Sequence, residues 1–291
     1  MRVKSSARVA ATEALSATTQ RVGSGGRMPA AMRKSRIVEA VRRAGFISVV
    51  DIAAELAVAD MTIRRDLVEL EREGRLTRTH GGALAPEGEG GHLIDREEPA
   101  FERRLRRNQQ AKTLIAGAAL EFVQSRQTVA VDVGTTTFLL ASRLLETPDI
   151  KVFTNSLRVA ALLGESKRDV YVPGGQVRGD EMSICGPGAV AQFEHLWFDV
   201  SFIGVSGITA DGLFDYSLED SELKRVYVRR STLAILLCDA SKFHRMSLVQ
   251  IVHLAEIDVL ITDTPPPAAL AKALALANVK VKIASALSAL P

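Results

Sequence analysis

Residues 59–83 read ADMTIRRDLVELEREGRLTRTHGGA, an amphipathic helix pattern followed by a hairpin pattern. At about 100° per residue, helical periodicity places Ile63, Leu67 and Leu70 on one apolar stripe. Glycine is the usual residue at a helix C-terminus, so we expect this helix to end at Gly74. The stripe predicts that one face of the helix is anchored in a small core while the other faces outward.

The outward face of this helix and its flanks carry Met61, Thr62, Arg64, Arg65 and Arg72. The major groove of DNA is about 12 Å wide and admits one helix, and arginine is the commonest bidentate reader of guanine. We therefore expect Arg65 and its neighbours to contact bases, and Arg64 and Arg72 to contact phosphates. For a lone amphipathic helix, the alternative is an ordinary surface helix with a solvated charged face.

The segment that follows the helix predicts a short β-hairpin, or wing. Residues 75–83 alternate leucine with threonine and arginine and are expected to turn at residues 81–82. Arg75 and Arg78 are expected to hold DNA phosphates, and His80 to have a turn or phosphate role.

Two shorter helical patterns precede this stretch. Residues 36–44 and 49–56 have apolar side chains at helical spacing, and residues 57–59 separate the second pattern from the third helix. Helix, short turn and a second helix with a cationic outer face is the helix-turn-helix arrangement.

Residues 37–83 resemble the N-terminal signature of the DeoR family of bacterial repressors. The shared features are the TIRRDL core, the leucine–glutamate run after it, the glycine before the wing and the HGGA wing tip. The family usually has serine where this chain has Ala59, and that serine caps the recognition helix. Alanine is a poorer N-cap by about 1 kcal/mol, so Asp60 or Thr62 is expected to take over the cap.

The composition is that of a soluble globular protein, with 47% hydrophobic and 24% charged residues in 291, enough for two domains. No apolar run approaches the ~18 residues that span a bilayer, so no membrane partner is expected. The two cysteines, Cys185 and Cys238, form no CxxC motif and have no histidine pair nearby. We therefore expect no disulfide framework, no zinc site and no cofactor, which fits a reducing cytoplasm.

Charge is distributed unevenly along the chain. Residues 1–84 contain 15 Lys/Arg and 9 Asp/Glu, a net of +6, and the whole chain carries +3, which leaves −3 for the remainder. A basic end joined to a mildly acidic body is expected when one domain binds DNA. Residues 1–31 predict a disordered extension. This extension is either a basic arm for nonspecific DNA contact or a segment upstream of a true start at Met28 or Met32.

From Ala111 onward, short β-rich runs alternate with helical ones, which predicts βαβ units. The predicted fold class is therefore α/β, with an N-terminal winged helix-turn-helix domain (32–86), a linker (87–108) and a mostly parallel α/β domain (109–291). The expected strands are residues 128–133, 152–154, 170–172, 200–205, 233–238, 259–262 and 279–283.

Small polar residues and one lysine follow these strands, where an open α/β sheet places its ligand crevice. The turn from Gly134 to Thr137 precedes a helix whose free N–H groups would bind an anion, with phosphate as the natural guess. The alternative is a tight turn that only caps the helix. Lys242, at another strand end, favours a phosphorylated ligand. Asp132 and Asp239 would then hold sugar hydroxyls or pair with Lys242.

This half of the chain also resembles the DeoR family sensor domain along nearly its whole length. The matching pieces are DVGTTT (132–137), TNS (154–156), PGGQVR (173–178), DVSFIGVSGI (199–208), DGLFD (211–215), ED-SELK (219–224) and DASKF (239–243). That domain is similar in fold to ribose-5-phosphate isomerase and senses a phosphorylated sugar or sugar alcohol. The resemblance implies phosphate contacts from Thr135, Thr136 and Thr137, a pocket lined by Asn155 and Gly175, and sugar contacts from Glu222, Lys224, Asp239 and Lys242. Residues i and i+2 of a helix do not share a face, so at most one of Glu222 and Lys224 need point inward.

The leading hypothesis is a cytoplasmic, nucleoid-associated bacterial repressor that binds a double-stranded DNA operator and a phosphorylated sugar effector. Helix-turn-helix proteins read half-sites ~34–36 Å apart, so a homo-oligomer, either dimer or tetramer, is expected. The alternative is an isomerase-like enzyme with an appended DNA-binding domain, in which Glu222 or Asp239 is the base and Lys242 the electrophile. No two acid–base groups have a tight, motif-like spacing, so we expect no enzyme. A third alternative is an acyl-CoA-transferring enzyme on a similar fold, but the sequence shows no clear nucleophile for that reaction.

Overall fold

The computed structural model describes residues 28–44, 46–78, 82–84, 93–94 and 98–285. The N-terminal domain is a winged helix. Its helices are α1 (Ala30–Ala44), α2 (Val49–Glu55) and α3 (Asp60–Arg72), and its strands are β1 (Phe46–Ser48), β2 (Thr77–Arg78) and β3 (Gly82–Leu84). The three strands form an antiparallel sheet in the order β1-β3-β2.

The apolar stripe of α3 packs into the core of this domain as its periodicity predicts. Ile63, Leu67 and Leu70 are buried against side chains of α1 and α2. A buried ion pair, which the periodicity does not indicate, also joins α1 to α3. Arg33 donates to both carboxylate oxygens of Asp66, with Nη2 3.0 Å from Oδ1. The orientation of α3 therefore depends on an ion pair as well as on apolar packing.

Two local expectations for this domain need correction. Ala59 remains the N-cap of α3 and no side chain caps the helix, so neither Asp60 nor Thr62 takes over that role. Asp60 instead lies in the first turn, where the positive end of the helix dipole stabilises its carboxylate. Gly82 is not a turn residue, because it lies in β3 opposite Ser48. The expectations for His80 and for the extension up to residue 27 lie outside the described residues.

The segment between the domains contains β4 (Leu93–Ile94), α4 (Phe101–Arg106) and the start of α5 (Gln109–Ala119). β4 pairs in parallel with Arg245–Met246 of the second domain. No helix in the described part of the chain is both long and apolar enough to cross a membrane.

The second domain is built on a seven-stranded sheet in which every pairing is parallel. The prediction of an α/β fold with a mostly parallel sheet is therefore confirmed, and each of the seven expected runs contributes one strand. The sheet order is β17-β16-β13-β10-β5-β6-β7. The sheet strands are β5 (Thr128–Val131), β6 (Lys151–Thr154), β7 (Val170–Tyr171), β10 (Phe198–Gly204), β13 (Ser231–Leu237), β16 (Val259–Thr262) and β17 (Lys280–Ile283).

Short strands of the second domain lie outside this sheet, and all of them except β14 pair antiparallel. They are β8 (Gln176–Arg178), β9 (Ser183–Cys185), β11 (Gly207–Thr209), β12 (Gly212–Asp215), β14 (Arg245–Met246) and β15 (Val249–Gln250). The helices of the domain are α5, α6 (Thr135–Leu144), α7 (Leu157–Glu165), α8 (Pro187–Glu194), α9 (Leu218–Arg229) and α10 (Ala268–Leu276). Helices α5, α6 and α7 contribute to one apolar cluster and α8, α9 and α10 to another, so helices cover both faces of the sheet.

Candidate functional site

A cavity of about 1070 Å³ lies where the carboxyl ends of β5, β10 and β13 meet the winged helix. We call it the junction cavity. Its sheet side is formed by the turns after these strands, and its opposite side by residues 47–51 and by α4. The predicted effector residues that line it are Gly134, Thr135, Thr136, Lys224, Asp239 and Lys242.

One end of the junction cavity is the N-terminus of α6. Gly134 is the N-cap with φ +133°, a backbone conformation that side chains rarely adopt. The Phe138 N–H donates to the Gly134 carbonyl at 3.0 Å, so the N–H groups that precede it have no intrahelical partner. Thr135 and Thr136 line the cavity, whereas the Thr137 hydroxyl donates to the Gly134 carbonyl at 3.0 Å. This end offers backbone and hydroxyl donors to an anion.

Lys242 adds a positive charge to the same cavity. It ends a 3-10 turn, Ala240–Lys242, that follows β13 and is capped by the Asp239 side chain, which accepts from the Ser241 N–H at 3.0 Å. Burial lowers the pKa of Lys242 to about 8, against the opposing effect of Asp239. The backbone N–H of Lys242 donates to the Asp239 carbonyl at 3.0 Å, whereas its side chain makes no hydrogen bond or ion pair with the described part of the chain.

Lys224, by contrast, is fully engaged in the cavity wall. Its Nζ contacts Asp132 Oδ2 and lies 3.0 Å from the Gly204 carbonyl and 3.1 Å from Asp215 Oδ2. Burial raises the pKa of Asp132 to about 7, although Lys224 opposes this shift. The carboxylates of Asp132 and Asp215 outweigh burial and raise the pKa of Lys224. The buried Oδ1 of Asp132 has no partner among the described residues.

The remaining predicted effector residues are not part of the cavity lining. Asn155 is buried, and its amide accepts from the Tyr227 hydroxyl at 3.0 Å and donates to the Ile184 carbonyl at 3.3 Å. A Cβ on Gly175 would lie 2.5 Å from the Cys185 carbonyl oxygen, so close packing requires glycine there. Glu222 is exposed. Thus Lys224, and not Glu222, is the residue of that pair that points inward.

Sequence reasoning missed two residues of the junction cavity, Asn108 and Lys112. The Asn108 amide donates to Asp239 Oδ1 at 3.0 Å, from a backbone with φ +51°. Lys112 is buried, and its Nζ donates to the Arg104 carbonyl at 2.9 Å and to the Arg107 carbonyl, and lies 3.8 Å from Asp239 Oδ2. Burial lowers the pKa of Lys112. The sequence around Asn108 and Lys112 does not indicate either role, because both side chains contact Asp239, more than a hundred residues away.

A second group that sequence reasoning missed forms the rim of the junction cavity. Arg104 Nη1 lies 2.9 Å from Glu98, and Arg104 also contacts Glu181. Arg178 Nε donates to Asp220 at 2.9 Å, and its Nη2 lies 3.3 Å from Glu98. Burial raises the pKa of Glu98. These pairs hold the linker that contains α4 against the second domain.

The outward face of α3 is open to solvent. Met61, Arg64, Arg65 and Arg72 are exposed and Thr62 is half-buried. In the wing, Arg75 lies 3.3 Å from Glu73, and Arg78 lies 3.7 Å from Glu71. Arg64 also lines the junction cavity.

Comparison with known protein families gives two matches to this chain. The DeoR C terminal sensor domain family matches residues 107–264, and the DeoR-like helix-turn-helix domain family matches residues 33–89. The chain belongs to the DeoR family.

The chain aligns with named repressors over nearly their whole length. The chain is 30% identical over 251 residues to the HTH-type transcriptional repressor CsqR of Escherichia coli K12, covering 86% of this chain and 94% of that protein. It is 28% identical over 258 residues to the glycerol-3-phosphate regulon repressor of the same organism, covering 88% and 100%.

A D-ribose-5-phosphate isomerase structure in complex with phospho-erythronic acid aligns at 18% identity and a TM-score of 0.36, over 46% of this chain and 54% of that one. This DeoR family member is a DNA-binding transcriptional repressor with a sensor domain.

Proposed function

We propose that this repressor controls carbohydrate metabolism genes in response to a phosphorylated sugar or sugar alcohol bound in the junction cavity. The observation that supports the proposal is that one cavity contains both the uncapped N-terminus of α6 and Lys242, a half-buried lysine whose side chain has no hydrogen-bond or ion-pair partner in the described chain. The positive end of a helix dipole and free N–H groups favour an anion, and a second cation strengthens a phosphate contact.

The phosphate would accept hydrogen bonds from the backbone and hydroxyls of Thr135 and Thr136 and from Lys242. Asp239 would accept from sugar hydroxyls, and Lys224 would complete the polar wall. Asp132, Thr137, Asn155 and Gly175 would shape that wall from behind rather than touch the ligand. Glu222 would contribute only after a rearrangement, because it is exposed outside the cavity.

On the DNA side, Arg65 would read bases together with Met61 and Thr62. Phosphate contacts would come from Arg64, Arg72, Arg75 and Arg78, with His80 beside them at the wing. Two half-sites about one helical turn apart require a homo-oligomer, either a dimer or a tetramer. This oligomer would act on the nucleoid in the cytoplasm.

We propose that the sensor domain has no catalytic activity. An isomerase needs a free base near the sugar, and Asp239 is held by Asn108 and lies close to Lys112 and Lys242, which outweigh burial and lower its pKa. Turnover of ribose 5-phosphate or a hexose phosphate that Lys242→Ala abolishes would contradict this statement.

The test is operator binding at fixed salt, with the DNA upstream of the protein's own gene. The panel contains glycerol 3-phosphate, ribose 5-phosphate and hexose 6-phosphates, each beside its unphosphorylated counterpart. We expect one phosphorylated compound to change operator affinity while its counterpart does not. Lys242→Met should abolish this response, whereas Lys272→Met, at an exposed lysine of α10, should retain it. Equal responses from both variants would overturn the assignment of the cavity.

A further inference from the structure

The DNA-binding domain lies directly against the junction cavity. Strand β1 is adjacent to the turn Ala240–Lys242, and residues 47–51 line the cavity. Residues on the winged helix therefore face the same space as Asp239 and Lys242. A ligand in this space cannot be accommodated independently of the winged helix.

A continuous polar chain runs from the sheet to the winged helix. Asp239 at the end of β13 lies 3.8 Å from Nζ of Lys112. Lys112 in turn donates to the carbonyls of Arg104 and Arg107 at the C-terminal end of α4. Arg107 Nε then lies 3.6 Å from the carboxylate of Asp51 in α2. Each link in this chain is a contact between described side-chain or backbone atoms.

The contacts of Lys112, the buried link of this polar chain, cannot break unless its ammonium group finds another partner. Lys112 is 4% exposed, and a buried ammonium without a carboxylate or carbonyl partner is costly. When a bound sugar engages Asp239, the attraction that Lys112 receives from this carboxylate changes. Because Lys112 also holds the last carbonyls of α4, the helix end must respond to the change.

We propose that Lys112 is the positioning residue that couples occupancy of the junction cavity to the placement of the DNA-binding domain. It acts through Asp239 on one side and through the end of α4 and the Arg107–Asp51 pair on the other. This inference rests on the proposed function, since it names how the same cavity regulates DNA binding.

The test uses the full chain and measures the ratio of operator affinities with and without the panel compound that binds most tightly. We expect a wild-type ratio of about 5 to 150, the usual range of coupling between sites. Lys112→Met should bring the ratio close to one while the compound still binds, and Lys112→Arg should restore part of it. Asp51→Asn breaks a partly exposed ion pair and should lower the ratio about two- to threefold. Lys272→Met is the matched control.

An unchanged ratio in Lys112→Met would overturn the proposal, and so would loss of compound binding in that variant, which would make Lys112 a ligand contact. If no compound affects the wild type, the proposed function fails, and a double-mutant cycle without effector decides the coupling. Operator affinities of Asp239→Asn, Lys112→Met and the double variant should then be non-additive; additive effects would overturn the coupling.

Discussion

Arg33 and Asp66 join two helices of the winged helix, whereas Lys224 and Asp132 join a helix to a strand end beside the junction cavity. Both carboxylate oxygens of Asp66 accept from the planar guanidinium of Arg33. Lys224 engages one oxygen of Asp132, and the other oxygen has no partner in the described chain. In the first pair both carboxylate oxygens are hydrogen-bonded, and the pair holds α1 against α3. The second leaves a buried carboxylate oxygen without a hydrogen bond behind the wall of the junction cavity.

The largest expected effect comes from breaking the second pair. Lys224→Met leaves Asp132 buried without its cation, which typically costs ~3–5 kcal/mol. The folded-state pKa of Asp132 is raised to about 7, so stability is greatest below the unfolded pKa and is lost as pH rises through the folded value. Urea unfolding should therefore show a larger loss at pH 8 than at pH 6. Adding Asp132→Asn should recover part of it, and an equal loss at both pH values would contradict the pairing.

Removing the proposed base contact of α3 should have the next largest effect. Arg65→Ala should weaken operator binding by ~1–3 kcal/mol and relax sequence preference, because a base contact discriminates among sequences. Arg72→Ala should weaken all sequences alike and lower the salt slope by about one. Arg126→Ala, at an exposed arginine of the sensor domain, is the control in the same titration. An Arg65→Ala protein with wild-type specificity would remove Arg65 from the reading face.

The pH dependence of effector binding sharpens the contrast between paired and unpaired cations. Lys242 has a pKa of about 8, so affinity for a sugar phosphate should fall as pH rises through that value, by up to about tenfold per unit. Below pH ~6 the phosphate loses its second charge, and affinity should fall again. Calorimetry from pH 5.5 to 9.5 should give this profile, and Lys242→Arg should remove its alkaline limb. A flat alkaline limb in the wild type would exclude Lys242 from the contact.

The smallest expected effect concerns the missing cap of α3. Ala59→Ser should supply a side-chain acceptor at the N-cap and stabilise the winged helix by ~1 kcal/mol. Differential scanning calorimetry of the two proteins would measure the increase in Tm. No increase would mean that Asp60 already provides most of the available stabilisation through the helix dipole.

Sequence periodicity was sufficient for the elements, and less so for the cavity. The stripe of Ile63, Leu67 and Leu70 lies in the core, and the seven β-rich runs form the sheet, because each pattern is local. Gly134 and Lys242 each follow a strand of the sheet, and both line the junction cavity, as expected from the position of the ligand crevice at the strand ends. Lys112 could not be found this way, since its partners are fixed by the packing of α4 on the sheet. Likewise Asn155 belongs to a motif shared with the family, but its side-chain amide is hydrogen-bonded to Tyr227 and Ile184.

The location of the junction cavity has a consequence for rates. One wall belongs to the DNA-binding domain, so we expect motion of residues 47–51 relative to the turn Ala240–Lys242 to change how fast a ligand enters and leaves. Association should then be limited by this opening rather than by diffusion, and it should saturate at high ligand concentration. A slow opening step would make the repressor respond to sustained changes in the level of the metabolite rather than to brief ones.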